Sequence, residues 1–136
     1  MTTTQTAQRI FVHAFLGLAA LQFFLAGLGV FRNNPKPNEK IVESSTFDPH
    51  RVVGDITALV VIIVVVLAMF TRWQLQMCLL LFGLMVLQFI LAGIGEDTPV
   101  FGALHALNGV ALLAVGTVLL MRLRPAATAP GVTPRV

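Results

Sequence analysis

Four apolar stretches, each about 19–23 residues long, limit what this chain can fold into. They run over 10–31, 52–70, 75–94 and 101–123. A helix rises 1.5 Å per residue, so about 20 residues cross the hydrocarbon core of a bilayer. In lipid the backbone must satisfy its own hydrogen bonds, and a helix does so within one segment. The run 60–66, entirely valine and isoleucine, would favour a strand in water. Here the membrane constraint predicts a helix through it.

Composition agrees. Only 11% of the residues are charged and 57% are hydrophobic, whereas a soluble domain carries roughly 25% charged residues. A soluble chain of this size buries only about two-thirds of its unfolded surface, too little to hide so much apolar area. The expected fold is therefore all-α: an integral membrane four-helix bundle over 1–124, followed by a flexible cytoplasmic tail at 125–136. The segment 33–49 is a polar loop with three prolines. Thr71, Arg72 and Trp73 form a tight turn. Glu96, Asp97, Thr98 and Pro99 form an acidic one, whose Asp97 or Thr98 is placed to cap the fourth helix.

The net charge of +3 comes without a dense basic cluster and does not point to nucleic acid. Cys78 is the single cysteine, which excludes paired-thiol chemistry. The first apolar run is longer than a secretory signal core, so it is expected to stay as a span. The termini and the 71–73 turn hold Arg9, Arg72, Arg122, Arg124 and Arg135 with no acid. The other side holds Arg32, Lys36, Lys40 and Arg51 together with acids. Five basic residues against four, weighted by the short turn, predict a multi-pass protein of the cell membrane with both termini cytoplasmic.

The chain repeats itself. Leu21-Gln22-Phe23-Phe24-Leu25-Ala26-Gly27-Leu28-Gly29 is matched by Leu87-Gln88-Phe89-Ile90-Leu91-Ala92-Gly93-Ile94-Gly95, with only the fourth and eighth residues differing. After each copy comes a loop and then a histidine near the start of the next helix. His50-Arg51-Val52-Val53-Gly54 parallels His105-Ala106-Leu107-Asn108-Gly109. The bundle is thus two tandem helical hairpins in the same orientation, as in parallel membrane repeats. Equivalent residues then lie at similar depth.

His50 and His105 consequently become candidates for a pair facing each other across the interior, the arrangement that bis-histidine ligation of a haem iron requires. Gly54 and Gly109 follow their histidines by four residues, on the same helix face, and would leave bare backbone for a macrocycle edge. Small residues also serve ordinary close packing of membrane helices, and two interfacial histidines can simply cap or hydrogen-bond. Arg51 is placed to meet a haem propionate or to pair with Asp55 one turn on, and Arg32 is a second propionate candidate. Gln22 and Gln88 read best as interhelical hydrogen-bonding groups. His13 has Leu79 at its repeat position and reads as a lone interfacial histidine. Met69, Met77, Met85 and Met121 are scattered and form no copper-binding set.

The pattern Gln-x-x-Leu-Ala-Gly at 22–27 and 88–93, with His50, Arg51 and Gly54 opening helix two and His105 early in helix four, resembles one half of haem A synthase. The resemblance covers roughly residues 10–122. It implies a four-helix haem-binding unit, with His50 and His105 at the ligand positions and Arg51 at the arginine that follows the first ligand. Two departures stand out. Phe47 occupies the place of that family's glutamate, three residues before the first ligand, and no cysteine pair lies in 32–49. Both losses bear on the haem-modifying oxidation and leave haem binding in place. The length is also similar to that of a family of small, uncharacterised four-span bacterial membrane proteins.

These readings predict a b-type haem protein of the membrane, serving electron transfer or haem handling, with a redox protein or quinone as partner, and as a homo-oligomer or part of a larger complex. The competing expectation is a cofactor-free accessory or assembly subunit of a larger membrane complex. A small transporter or quinone-linked enzyme fits less well, because Asp55 is the only acid within a span.

Overall fold

A computed structural model of the chain describes residues 2–32, 45–96 and 98–123. Four α-helices carry them: α1 (Thr3–Arg32), α2 (Asp48–Thr71), α3 (Leu75–Gly95) and α4 (Pro99–Arg122), with a 3-10 turn at Ser45–Phe47 leading into α2. All four helices are long and apolar enough to cross a membrane. No strand occurs among the described residues. The expected tail at 125–136 and most of the loop at 33–49 lie outside the described residues.

Three of the four helices, α1, α2 and α4, start earlier than their apolar runs do. Thr2 and Gln5 cap each other at the start of α1: the Thr2 N–H donates to Gln5 Oε1 at 2.9 Å, and the Gln5 N–H donates to Thr2 Oγ1 at 3.2 Å. This reciprocal capping carries the helix through polar residues that no hydropathy window includes. α2 begins at Asp48 rather than at Val52, with Pro49 in the first turn, where a missing N–H is harmless. That places His50 and Arg51 inside the helix. α4 begins at Pro99, and Thr98 sits at its N-cap without a side-chain capping bond. The Thr98 carbonyl instead accepts from the N–H groups of Phe101 and Gly102. Asp97, the other expected cap, is outside the described residues.

The helices pack in sequence order around a square. α1 lies against α2 and α3 against α4, and the square is closed by α2 on α3 and α4 on α1. α2 and α4 are thus diagonal across the interior and run the same way. The buried positions form one stripe per helix, spaced by threes and fours: Gln8, Val12, Phe15 and Ala19 on α1; Thr57, Val61, Val64 and Ala68 on α2; Cys78, Leu81 and Met85 on α3; Asn108, Leu112, Gly116 and Leu119 on α4. The repeat holds along these stripes. Val12, Phe15 and Ala19 correspond to Cys78, Leu81 and Met85. Thr57, Val61, Val64 and Ala68 correspond to Leu112, Gly116, Leu119 and Leu123. The large side chains on the other faces, such as Phe31 at 91% exposure and Phe70 at 80%, point outward to where lipid belongs.

The α2–α3 turn is held from below by Gln8, which is fully buried. Its Nε2 donates to the Trp73 carbonyl at 3.1 Å and to Cys78 Sγ at 3.5 Å, while its Oε1 accepts from the Thr71 hydroxyl at 3.1 Å. Arg72 and Gln74 adopt left-handed conformations, with φ of 55° and 56°, to reverse the chain within so few residues. Gly116 marks the closest approach of α1 to α4: a Cβ there would lie 2.5 Å from Cε1 of the Phe15 ring. Gly83 has open space around it. Gly116→Ala is expected to destabilise the bundle by about 1–3 kcal/mol through overpacking. Gly83→Ala should be neutral or slightly stabilising. Thermal melts of both variants in detergent, followed by circular dichroism, measure the difference.

Candidate functional site

The interior is divided. Its apolar half, from Val12 to Ala19 on α1 and the matching turns of the other helices, is filled by aliphatic side chains and Phe15. Toward the other end the same stripes turn polar. Ala19 is followed on its stripe by Gln22, Met85 by Gln88, Thr57 is preceded by His50, and Leu112 by Asn108 and His105. These five side chains are where the two hairpins meet at the histidine end.

The two histidines come together across the diagonal. Their ring centroids are 6.2 Å apart, with the ring planes inclined by 67°. Each ring is tied to the glutamine of its own repeat unit. His50 Nδ1 lies 3.1 Å from the Gln22 carbonyl oxygen, and His105 Nδ1 lies 3.0 Å from that of Gln88. A carbonyl oxygen can only accept, so Nδ1 carries the proton in both rings and Nε2 keeps its lone pair. Metal-ligating histidines are commonly oriented by this kind of bond, which fixes both tautomer and ring angle.

The halves then diverge at one position. Asn108 Nδ2 donates to the Leu84 carbonyl at 2.9 Å and to Gln88 Oε1 at 2.6 Å. Gln88 Nε2, so oriented, donates to His105 Nε2 at 3.1 Å. In the first half Val53 stands where Asn108 stands in the second. Gln22 Oε1 is correspondingly buried without a hydrogen-bond partner.

The glycines do create room, and side chains use it. A Cβ on Gly54 would lie 3.1 Å from Gln22 Nε2, and one on Gly109 would lie 3.1 Å from Phe23 Cζ and 3.6 Å from Gln88 Nε2. Arg51 is exposed, and its Nη1 donates to Asp48 Oδ1 at 2.9 Å. The ion pair thus runs back to the first residue of α2, where sequence spacing pointed forward to Asp55. Phe47, at the position of the absent glutamate, lies against Gly29: a Cβ on that glycine would sit 2.8 Å from Phe47 Cε1. The second repeat makes the matching close approach between Gly95 and the Gly102 backbone, also 2.8 Å. His13 is exposed at the far end of α1, with Nδ1 2.8 Å from the Arg9 carbonyl oxygen.

Among the described residues no three His, Cys, Asp or Glu side chains gather as a metal-binding group. The site offers two imidazoles. A metal–nitrogen bond is about 2.0–2.1 Å, and the ring centre lies about 1.2 Å beyond, so two collinear imidazoles on one metal have centroids about 6.4–6.6 Å apart. The observed 6.2 Å fits that spacing. The groups that fill the space at Gly54 and Gly109, the two glutamine amides and the Phe23 ring, are side-chain ends that can turn aside.

Fold and site together define a small multi-pass helical membrane protein, built from two repeats with a cluster of polar side chains at one end. It belongs to a family of unknown function, DUF6220, which it matches over residues 22–95, from the first repeat glutamine to the last glycine of the second copy and more than half of the chain. No curated protein and no solved structure matches the chain.

Histidine tautomers give a direct check. Nitrogen-15 spectra of the detergent-solubilised protein at neutral pH should show His50 and His105 protonated at Nδ1 and bare at Nε2. A bare Nδ1 at either residue would contradict the hydrogen bonds to Gln22 and Gln88.

Proposed function

We propose that the chain is a membrane protein that binds a b-type haem between His50 and His105, for electron transfer or haem handling. One observation carries this reading: repeat-equivalent histidines on diagonal helices meet 6.2 Å apart, each with Nδ1 engaged by a backbone carbonyl so that Nε2 carries the lone pair. Neither neighbouring glycine nor chance interfacial placement requires that both rings share one tautomer and one acceptor type. The likeness of the sequence motifs to one half of haem A synthase points the same way.

In this reading His50 and His105 would hold the haem iron through their Nε2 atoms. Gly54 and Gly109 supply backbone against which a flat group packs once Gln22, Gln88 and Phe23 turn aside. Arg51, exposed at the membrane edge beside His50, binds a propionate. Haem would supply one-electron chemistry. With the iron held by two protein side chains, the site would favour electron transfer or haem transfer over oxygen activation. Phe47, packed on Gly29, supplies no proton-transfer group at the position of the missing glutamate. We further propose that both termini face the cytoplasm, because Arg9, Arg72 and Arg122 lie at the end without acids. The histidine site then lies toward the outer surface.

The test is the absorption spectrum of the purified protein supplied with haem, oxidised and then reduced by dithionite. A sharp Soret band with split α and β bands on reduction is the expected result. His50→Ala and His105→Ala should each remove that six-coordinate signature. A wild-type protein that stays colourless removes the haem reading and favours a cofactor-free accessory subunit, in which Gln88 and Asn108 serve only to satisfy His105.

A further inference from the structure

The two histidines differ in what already occupies their donor atoms. His105 Nε2 accepts a hydrogen bond from Gln88 Nε2, and that amide is oriented by Asn108 through its Oε1. Asn108 is itself anchored on the Leu84 carbonyl. The chain of donors is consistent from end to end: Asn108 gives to Gln88, Gln88 gives to His105, and His105 Nδ1 gives back to the Gln88 carbonyl. Among the described residues no amide donates to His50 Nε2. Its glutamine, Gln22, has a buried Oε1 with no partner, because Val53 takes the place of the second half's asparagine.

We infer that Gln88, positioned by Asn108, is a releasable cap on His105, which makes His50 the permanent ligand of this site and His105 the exchangeable one. The inference rests on the haem reading for the identity of the ligand, and on the hydrogen-bond pattern alone for the inequality of the histidines. Any electrophile or metal approaching His105 must first break the bond from Gln88. An approach to His50 breaks none at Nε2. A neutral hydrogen bond is worth about 0.5–1.5 kcal/mol net, which corresponds to a bias of about 2- to 12-fold between the two donors. A site with one weak axial ligand can open to a small neutral ligand such as an imidazole, or release its cofactor to an acceptor. Of the two roles proposed above, that favours haem handling. Gln88 and Asn108 are positioning residues in this scheme.

Two measurements test it. In the protein without cofactor, diethyl pyrocarbonate acylates bare imidazole nitrogens, and mass spectrometry reads each histidine separately. His50 should react about 2- to 12-fold faster than His105. Asn108→Val, which copies the first half, should bring His105 up to His50. Val53→Asn, which removes no side-chain hydrogen bond, should slow His50. Equal rates in the wild type, or a ratio that neither variant moves, would overturn the inference. In the haem-loaded ferric protein, imidazole should displace His105, and Asn108→Val should raise the imidazole needed by a similar factor. An unchanged titration would also overturn it. If the wild type takes up no haem, the proposed function fails, and the acylation rates still decide whether the cap exists.

Discussion

Hydrocarbon leaves a polar side chain inside the bundle no water to bond with, so each must find a protein partner or a ligand. The organisation of this interior follows from that constraint. At one end Gln8 spends both ends of its amide on the α2–α3 turn, on Trp73, Cys78 and Thr71. Through the middle the stripes are aliphatic and need no partners. At the other end Gln88, His105 and Asn108 share one another's donors and acceptors, and the backbone carbonyls of Gln22, Leu84 and Gln88 accept from His50, Asn108 and His105. Among the described residues the buried acceptor left over there, Gln22 Oε1, lies in the half whose histidine has no amide on Nε2.

Duplication explains why such a small chain can build a two-sided site. One hairpin supplies a glutamine carbonyl and a histidine that it orients, and a second hairpin in the same direction supplies the matching pair at the same depth. Diagonal packing of α2 and α4 then points the two rings at each other. Divergence has since touched the surroundings more than the pair. Val53 against Asn108, and Phe47 against Gly102, are equivalent positions with different chemistry. Both differences fall within a turn of the histidines, so the symmetric frame carries an asymmetric site.

Much of this was legible in the residues. Length and hydropathy gave the four spans, and the nine-residue match gave the hairpin repeat and the pairing of His50 with His105. The helix starts were not legible from apolar runs, because capping by Thr2 and Gln5, and Pro49 and Pro99 in first turns, extend helices into polar sequence. Gln8 drew no notice, although it occupies the same repeat position as Gln74. Asn108 could have been found from its place three residues after His105, on the same face of α4. Its contact with Gln88 required knowing how α3 and α4 are rotated.

The sequence by itself determined the number of crossings, the helical class and the twofold repeat, because membrane thickness and backbone hydrogen bonding leave a run of about 20 apolar residues little alternative. Only the tertiary structure decided which side of each helix faces inward. Helices that are apolar all round carry no periodic signal for their buried face. That choice came from packing: the Phe15 ring against Gly116, Phe47 against Gly29, and Gln8 under the turn fix the rotations that turn His50 and His105 toward each other.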